Sequence, residues 1–177
     1  MRIVAGKLRH RIIDMSNLDT TRETQDKVRG AIFNMIGPYF DGGNCLDLFA
    51  GSGAMGIEAY SRGCDSFTLN DMNKKAIDIC KKNCISLGIL DKCTLVNKDY
   101  IDFITTCTDK YSLIILDPPY KMDDIEGILD SVYPLLKDDG IIVYEMGIDS
   151  KYPTNFHDME LWKNKEYGIK RVVVYRR

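Results

Sequence analysis

Two short stretches of the chain combine residue types that suit chemistry at a nucleotide-like ligand. The segment 46–56 holds three glycines in a Gly-x-Gly-x-x-Gly pattern, which offers backbone N–H groups and a helix amino terminus to a ligand. The segment 116–120 reads Leu-Asp-Pro-Pro-Tyr, which offers a carboxylate, a rigid turn and an aromatic face. Together they predict methyl transfer to a planar nitrogen.

The expected catalytic corner consists of Asp117, Pro118, Pro119 and Tyr120. Consecutive prolines fix the backbone and remove two N–H donors, so this turn receives hydrogen bonds. An exocyclic amino group is a poor nucleophile because its lone pair is delocalised into the base. If Asp117 and the Pro118 carbonyl accept its two hydrogens, the lone pair points at a sulfonium methyl while Tyr120 stacks on the base. Whether Asp117 also takes the proton stays open at this level.

The glycine turn alone is shared by several classes of nucleotide-binding enzyme, and Asp71 makes it more specific. Asp71 follows the second predicted strand, where a carboxylate can accept both hydroxyls of a ribose. Asp99 follows the third, where it either reads an adenine amino group or caps the next helix. With the proline corner, these groups predict S-adenosyl-L-methionine as cofactor. The residues expected to bind it are Asp47, Phe49, Gly51, Ser52, Gly53, Asp71, Met72, Asp99 and Tyr100.

Alternating strand and helix patterns must position these groups. From residue 44 onward the alternation predicts a mostly parallel sheet covered on both faces. The predicted strands are 45–49, 66–70, 93–96, 111–116 and 141–145, and the predicted helices are about 54–62, 73–87, 100–107 and 123–133. The tail, at about 159–162 and 170–175, predicts an antiparallel edge pair.

The first 40 residues differ from this pattern and form a predicted extension of the core. Residues 2–13 suggest a basic β-hairpin around Gly6, and residues 24–36 have helical spacing. The apolar face of that helix is expected to carry Val28, Ala31, Ile32, Met35 and Ile36. We therefore expect one domain of residues 1–177, with an extension at 1–40 and a catalytic core at 41–177.

Composition sets further limits. A chain of 177 residues with 45% apolar and 28% charged residues is typical of one globular domain. It has no apolar run of signal-peptide or membrane-span length, which predicts a cytoplasmic protein. The six cysteines lack metal-ligand spacing, so we expect reduced thiols and no metal.

The net charge of −2 conceals basic ends. Residues 1–30 hold seven Lys or Arg against four Asp or Glu, and residues 161–177 hold six against one. Local potential rather than net charge steers association, so the ends could grip a polyanion. The alternative interpretation of the same counts is that these residues are ordinary solvated surface charges.

These motifs resemble those of the class I S-adenosylmethionine-dependent methyltransferases. Over nearly the full length the chain resembles the bacterial RsmD family, which methylates guanine N2 in small-subunit ribosomal RNA. The matching pieces are residues 1–7, Thr21-Arg22-x-Thr24, Lys27-Val28-Arg29, Phe33-Asn34, residues 49–59 and the Asp-Pro-Pro-Tyr corner.

The resemblance implies an α/β Rossmann-like three-layer sandwich. Its sheet would have seven mostly parallel strands and an antiparallel C-terminal hairpin. The N-terminal β-hairpin and helix would cover the site and touch RNA. The expected RNA-binding residues are Arg2, Lys7, Arg9, Arg11, Arg22, Thr24, Lys27 and Arg29.

We therefore expect methylation of a guanine N2 amino group in 16S ribosomal RNA. The substrate would be the RNA or a small-subunit assembly intermediate, and the enzyme a monomer. DNA adenine-N6 methylation uses the same turn chemistry but needs more surface for major-groove contacts. Methylation of a protein glutamine is also disfavoured, because the corresponding motif of enzymes that act on amides has Asn at the position of Asp117.

A non-catalytic nucleotide- or RNA-binding module is the alternative without chemistry, and the intact Asp71, Asp117 and Tyr120 disfavour it. An NAD-dependent oxidoreductase is disfavoured because no acid or base accompanies the glycine turn. The two histidines, His10 and His157, lie in peripheral segments.

Overall fold

The computed structural model describes residues 1–15 and 25–177. Two of the expected RNA-binding residues, Arg22 and Thr24, lie outside the described residues. The N-terminal arm folds back on itself, but one antiparallel bridge, between Arg2 and Ile12, closes it instead of an extended hairpin ladder. The first helix, α1, spans Asp26–Ile36.

The core alternates strands and helices, as the sequence pattern predicts. Two single 3-10 turns, at Leu90–Lys92 and Tyr133–Leu135, interrupt the alternation. The strands are β1 (Asn44–Asp47), β2 (Ser66–Asn70), β3 (Cys93–Val96), β4 (Tyr111–Leu116), β5 (Leu136–Gly147), β6 (Asn155–Phe156), β7 (Met159–Tyr167) and β8 (Lys170–Arg176). The remaining helices are α2 (Ala54–Ser61), α3 (Lys74–Leu87), α4 (Tyr100–Thr106) and α5 (Ile125–Val132).

The described strands form one sheet in the order β3-β2-β1-β4-β5-β8-β7-β6. The first five run parallel, and β8 is antiparallel to both β5 and β7. The sheet has eight strands where seven were expected, because the two-residue β6 extends its edge. The predicted antiparallel tail pair is confirmed as β7 and β8, and β8 is the inner strand of that pair. Its run Val172–Tyr175 is buried on both faces and therefore lies inside the sheet.

Side chains alternate between two apolar layers, which confirms the three-layer sandwich. On one face, Cys45, Leu113 and Val143 pack against α1, α2 and α3. On the other, Leu46 and Ile114 pack against α5 and Phe103 of α4. No helix within the described ranges is long and apolar enough to cross a membrane.

Close backbone contacts fasten the N-terminal arm to α2. Lys7 donates its backbone N–H to the Ser61 carbonyl at 2.9 Å, and Leu8 donates to the Ser61 hydroxyl at 2.9 Å. Gly6 has φ +86°, and a Cβ at that position would lie 1.9 Å from the Ser61 carbonyl oxygen. A glycine is therefore required here by both conformation and space. The contact fixes the arm beside the helix that follows the glycine turn.

Candidate functional site

A cavity of about 830 Å³ opens at the carboxyl ends of the parallel strands. The chain reaches β1 first, places β2 and β3 on one side, and then crosses to β4 on the other side. Loops diverge at such a switch point, which is where open α/β sheets bind ligands. The lining residues are Leu48, Phe49, Asn70, Asp71, Met72, Asn73, Lys74, Lys98, Asp99, Tyr100, Asp117, Pro118, Pro119, Tyr120, Lys121 and Met122.

Asp71 joins the glycine turn to the start of α3. Its Oδ2 accepts from the Gly51 N–H at 3.0 Å, and its Oδ1 accepts from the Asn73 N–H at 2.9 Å. Gly53 enters α2 in the left-handed conformation, with φ 85°. A carboxylate has about four acceptor positions, so Asp71 retains capacity for ligand hydroxyls. The structure thus places a carboxylate and the glycine turn together, as the sequence predicts.

The expected cofactor residues divide into two groups. Those that line the cavity are Phe49, Asp71, Met72, Asp99 and Tyr100. Asp47, Gly51, Ser52 and Gly53 are buried behind the wall and are not among the lining residues. The Ser52 carbonyl accepts from Asn83 at 3.0 Å, which ties the turn to α3. The second group shapes the backbone of the site from behind.

Asp47 supports the turn from below. It is 2% exposed, and its Oδ2 accepts from the Gly56 N–H at 3.1 Å. Burial, followed by the negative charges of Glu145 and Asp71, raises the pKa of Asp47 to about 7 despite that hydrogen bond. A group that changes charge near neutral pH therefore lies directly under the site.

We expect Asp47→Asn to stabilise the fold at alkaline pH. The folded state binds this proton more tightly than the unfolded state, where the pKa is about 4. The stabilisation by protonated Asp47 is therefore complete below about pH 4 and is lost as the pH rises to about 7. An amide keeps an acceptor for Gly56 without a charge. Urea unfolding at pH 8 should show a gain of about 2 kcal/mol, roughly half of what three pKa units represent because the amide is itself desolvated.

The gain should shrink steadily as the pH approaches 4.5. The exposed Asp109→Asn variant serves as the control and should show no such trend. A gain of the same size at every pH would contradict the role of Asp47 ionisation.

Aromatic rings form one wall of the cavity. The rings of Phe49 and Tyr100 lie 5.6 Å apart, tilted by 45°. Asp99 caps α4, because its Oδ1 accepts from the Ile101 N–H at 2.9 Å. Asp99 also lines the cavity, so its two predicted roles are compatible. Met72 is 68% exposed at the rim.

The proline corner also lines the cavity. The Asp117 side chain is 13% exposed and Tyr120 is 36% exposed. The Pro119 carbonyl accepts from the Met122 N–H at 2.9 Å, which holds the turn. All four expected catalytic residues thus line the same cavity as the expected cofactor residues Phe49, Asp71 and Tyr100.

Sequence reasoning missed two charged residues behind Asp117. Lys170 Nζ lies 3.9 Å from Asp117 Oδ2 and 3.8 Å from Glu145 Oε1. Burial, together with the negative charge of Glu145, raises the pKa of Asp117 well above its usual range, and Lys170 opposes the rise. The sequence offered one signal for Glu145, which is a carboxyl group directly after the apolar run 141–144 of β5. Lys170 joins it only through the pairing of β5 with β8.

A basic surface borders α1 and the N-terminal arm. Five of the expected RNA-binding residues are exposed there: Arg2, Lys7, Arg9, Arg11 and Lys27. Lys7 Nζ lies over the Tyr60 ring, 3.8 Å from its centroid. Arg11 Nη2 donates to the Ser86 carbonyl at 3.0 Å, which joins the arm to α3.

The expectation that Arg29 binds RNA is wrong. Arg29 is fully buried, ion-paired to Asp26 at 3.0 Å and hydrogen-bonded to the Arg2 carbonyl. Burial raises the pKa of the neighbouring Glu58, and the positive charge of Arg29 opposes that rise. The predicted apolar face of α1 agrees in part, because Ile32 and Ile36 are buried and Val28 and Met35 pack against the core, but the helix also buries Arg29, Gly30 and Phe33. Arg29 is therefore a structural cation.

All six cysteines are free, and no group of three or more His, Cys, Asp or Glu that could hold a metal occurs within residues 1–15 and 25–177.

Comparisons with known proteins agree with this architecture. YlbH of Bacillus subtilis (strain 168) is 36% identical over 182 residues, covering 100% of this chain and 99% of YlbH. Ribosomal RNA small subunit methyltransferase D of Escherichia coli (strain K12) is 30% identical, covering 100% of this chain and 90% of that protein. The solved structure of yhhF from Escherichia coli superimposes with a TM-score of 0.88 at 28% identity, covering 100% of this chain and 97% of that one.

A protein-family profile described as conserved hypothetical protein 95 matches residues 1–176. The fold is that of the class I methyltransferases, as predicted. The chain belongs to the conserved hypothetical protein 95 family, and its resemblance to the RsmD proteins is confirmed.

Proposed function

We propose that this protein transfers a methyl group from S-adenosyl-L-methionine to the exocyclic N2 of a guanine in 16S ribosomal RNA. The observation that carries the proposal is the position of the Asp117-Pro118-Pro119-Tyr120 corner. It faces the same cavity as Asp71 and the Phe49–Tyr100 rings. One wall thus suits an adenosyl group, and the other suits a flat amine.

The cofactor side of the cavity fits an adenosyl group by its chemistry. Asp71 has acceptor capacity for two ribose hydroxyls, and Phe49 and Tyr100 offer apolar surface to a base. Asp99 supplies a further acceptor at the same wall. When bound, the cofactor supplies an activated methyl group on a sulfonium.

The chain's own residues orient the nucleophile. Asp117 accepts one amino hydrogen and the Pro118 carbonyl accepts the other, so the nitrogen turns its lone pair towards the methyl carbon. Tyr120 stacks on the base. Alignment of two reactants can lower the activation free energy by up to about 7–11 kcal/mol. A base inside an RNA helix must leave its stack to enter such a pocket.

The RNA contact is assigned to the exposed basic residues of the N-terminal arm. Small-subunit ribosomal RNA as substrate is supported by the names of the relatives, including methyltransferase D of Escherichia coli. We further propose that the protein acts in the cytoplasm as a monomer, on the RNA or on an assembling small subunit.

Methyl transfer to small ribosomal subunits tests the proposal. Subunits from a strain that lacks this protein are incubated with tritiated cofactor, alongside naked 16S RNA and duplex DNA. The label should appear in the RNA, and nuclease digestion with mass spectrometry should identify N2-methylguanosine. Label in N6-methyladenine of the DNA would support the alternative reaction instead. Binding of cofactor without any transfer would support a non-catalytic module.

Substitution of Arg9 tests the RNA-binding surface. Arg9 is exposed on the arm, so Arg9→Ala should weaken binding of small-subunit RNA uniformly. The salt dependence of log K should become shallower by about 0.7–0.9, as expected for one lost phosphate contact. Lys137→Ala is the matched control, because this exposed lysine lies at the start of β5 and not on the N-terminal arm. Equal salt slopes for Arg9→Ala and wild type would remove Arg9 from the interface.

A further inference from the structure

Three charged side chains meet at the end of β4, and two of them have no role in the proposed reaction so far. Leu116 pairs with Tyr144 in the parallel ladder between β4 and β5, so Asp117 follows in register with Glu145. Lys170 opens β8 and pairs with Gly147 of β5. The side chain of Asp117 is 13% exposed, that of Glu145 is 0% exposed and that of Lys170 is 18% exposed.

The lysine acts on the carboxyl groups through its charge. Lys170 Nζ lies 3.9 Å from Asp117 Oδ2 and 3.8 Å from Glu145 Oε1. Within the described part of the chain this buried nitrogen makes no hydrogen bond. It therefore lies almost equally far from both acids without being anchored to either one.

The surroundings of Asp117 are predominantly acidic. Glu145 forms a side-chain hydrogen bond with Asp117, and the negative charge of Asp47 acts on it from β1. The Tyr144 hydroxyl also senses the charge of Asp117. Lys170 is the positive charge that acts on Asp117 among these groups. Two buried carboxyl groups in contact cannot both ionise easily.

We propose that Glu145 and Lys170 are positioning residues that act through Asp117 and hold the carboxyl pair at a single negative charge facing the substrate amine. Glu145 shares the proton with Asp117. The Lys170 ammonium disfavours uptake of a second proton from solvent before the transfer, so that the pair takes one only from the strongly acidic product cation and then releases it. The inference rests on the proposed function, because it assigns a purpose to the charge state of Asp117 in that reaction.

The charge state matters for both halves of the reaction. The amine nitrogen forms a bond to the methyl carbon while the carbon–sulfur bond breaks, and its electron pair stays on sulfur. The nitrogen then carries a positive charge and one surplus proton. That proton passes to the carboxyl pair, which becomes doubly protonated and returns it to solvent. A pair that is already neutral before the reaction cannot accept the amino hydrogen well or take this proton.

Carboxyl titration tests the inference without RNA. The protein is labelled with 13C at the Asp and Glu carboxyl carbons, and Asp117→Asn identifies the signal. In wild type the Asp117 signal should titrate in two steps, with the upper step well above the ordinary range of an aspartate. Lys170→Met should raise both steps by about 1–3 pH units, the range expected for loss of a nearby opposite charge. Glu145→Gln should abolish the upper step.

Two controls separate charge from packing. Lys170→Arg keeps the positive charge and should retain the wild-type titration. Lys137→Met removes a lysine from the far end of β5 and should leave both steps in place. A single ordinary titration step for Asp117 in wild type would overturn the inference, as would unchanged steps in Lys170→Met.

The kinetic consequence is measured in single turnovers with undermethylated small subunits. In the plot of rate against pH, the acid-side midpoint should shift upwards by about 1–3 pH units in Lys170→Met. It should stay in place in Glu145→Gln, because the amide of that variant still donates to Asp117. A purely structural role would lower the rate equally at every pH and would contradict the inference. Absence of any methyl transfer by wild type contradicts the proposed function, whereas transfer with an unshifted acid-side midpoint in Lys170→Met contradicts the inference alone.

Discussion

Asp117→Ala is expected to lower the rate of methyl transfer by about 10²–10³-fold, the loss typical when one preorganised polar group at a reacting centre is removed. Asp117 supplies the carboxyl group of the proline corner, and it lines the cavity. Alanine leaves the two prolines and Tyr120 in place. The base can then still enter, but one of the two acceptors that orient its amino group is lost.

The prediction separates catalysis from binding. Single-turnover transfer to undermethylated small subunits measures the rate, and calorimetry with S-adenosylhomocysteine measures cofactor affinity. The affinity of Asp117→Ala should stay within about threefold of wild type, since hydroxyl recognition is assigned to Asp71 and not to Asp117. Asp123→Ala, in the exposed loop that follows, is the matched control. Undiminished transfer by Asp117→Ala would remove the proline corner from the reaction.

Asp71→Ala is expected to weaken cofactor binding by about 100-fold. The carboxylate has two tasks that alanine cannot perform. It holds the glycine turn by accepting from the Gly51 N–H at 3.0 Å. We also propose that its carboxylate oxygens accept hydrogen bonds from the ribose hydroxyls. A hydrogen bond to a charged group contributes about 1.5–3 kcal/mol, and a 100-fold loss corresponds to about 2.7 kcal/mol.

A graded series distinguishes the two tasks. Asp71→Asn retains one acceptor oxygen and the shape of the side chain, so its loss of affinity should be intermediate. Asp91→Ala removes an exposed carboxylate from the turn after α3 and should bind cofactor like wild type. If calorimetry gives Asp71→Ala wild-type affinity, the assignment of the ribose to this residue is wrong.

The sequence alone determined the parts of this protein that depend on local patterns. The largely apolar run of β4, at Tyr111–Leu116, is the strand that the sequence predicts, residue for residue. The end of α3 at Gly88, in the left-handed conformation, also agrees with prediction. Both are decided by neighbours within a few residues, because hydrophobic periodicity and glycine conformation act over that range.

The two walls of the site were also accessible from sequence, for a related reason. The glycine turn and the proline corner each follow a strand directly, and parallel strands end at the same edge of a sheet. The order of the strands was not needed to place Asp71 and Asp117 near each other. It was needed to show that Phe49, Tyr100 and Tyr120 enclose one cavity.

Tertiary structure alone decided which charges are accessible and which are paired. Arg29 looks like its exposed neighbour Lys27 in sequence, but the orientation of α1 buries it near Glu58. Lys170 reaches Asp117 because β8 inserts beside β5, although 52 positions separate the two residues along the chain. The environment of an ionisable group is set by whichever segments the fold packs around it. Sequence spacing therefore located the candidate carboxylate Asp117, and only the packing of β5 and β8 revealed the charges that surround it.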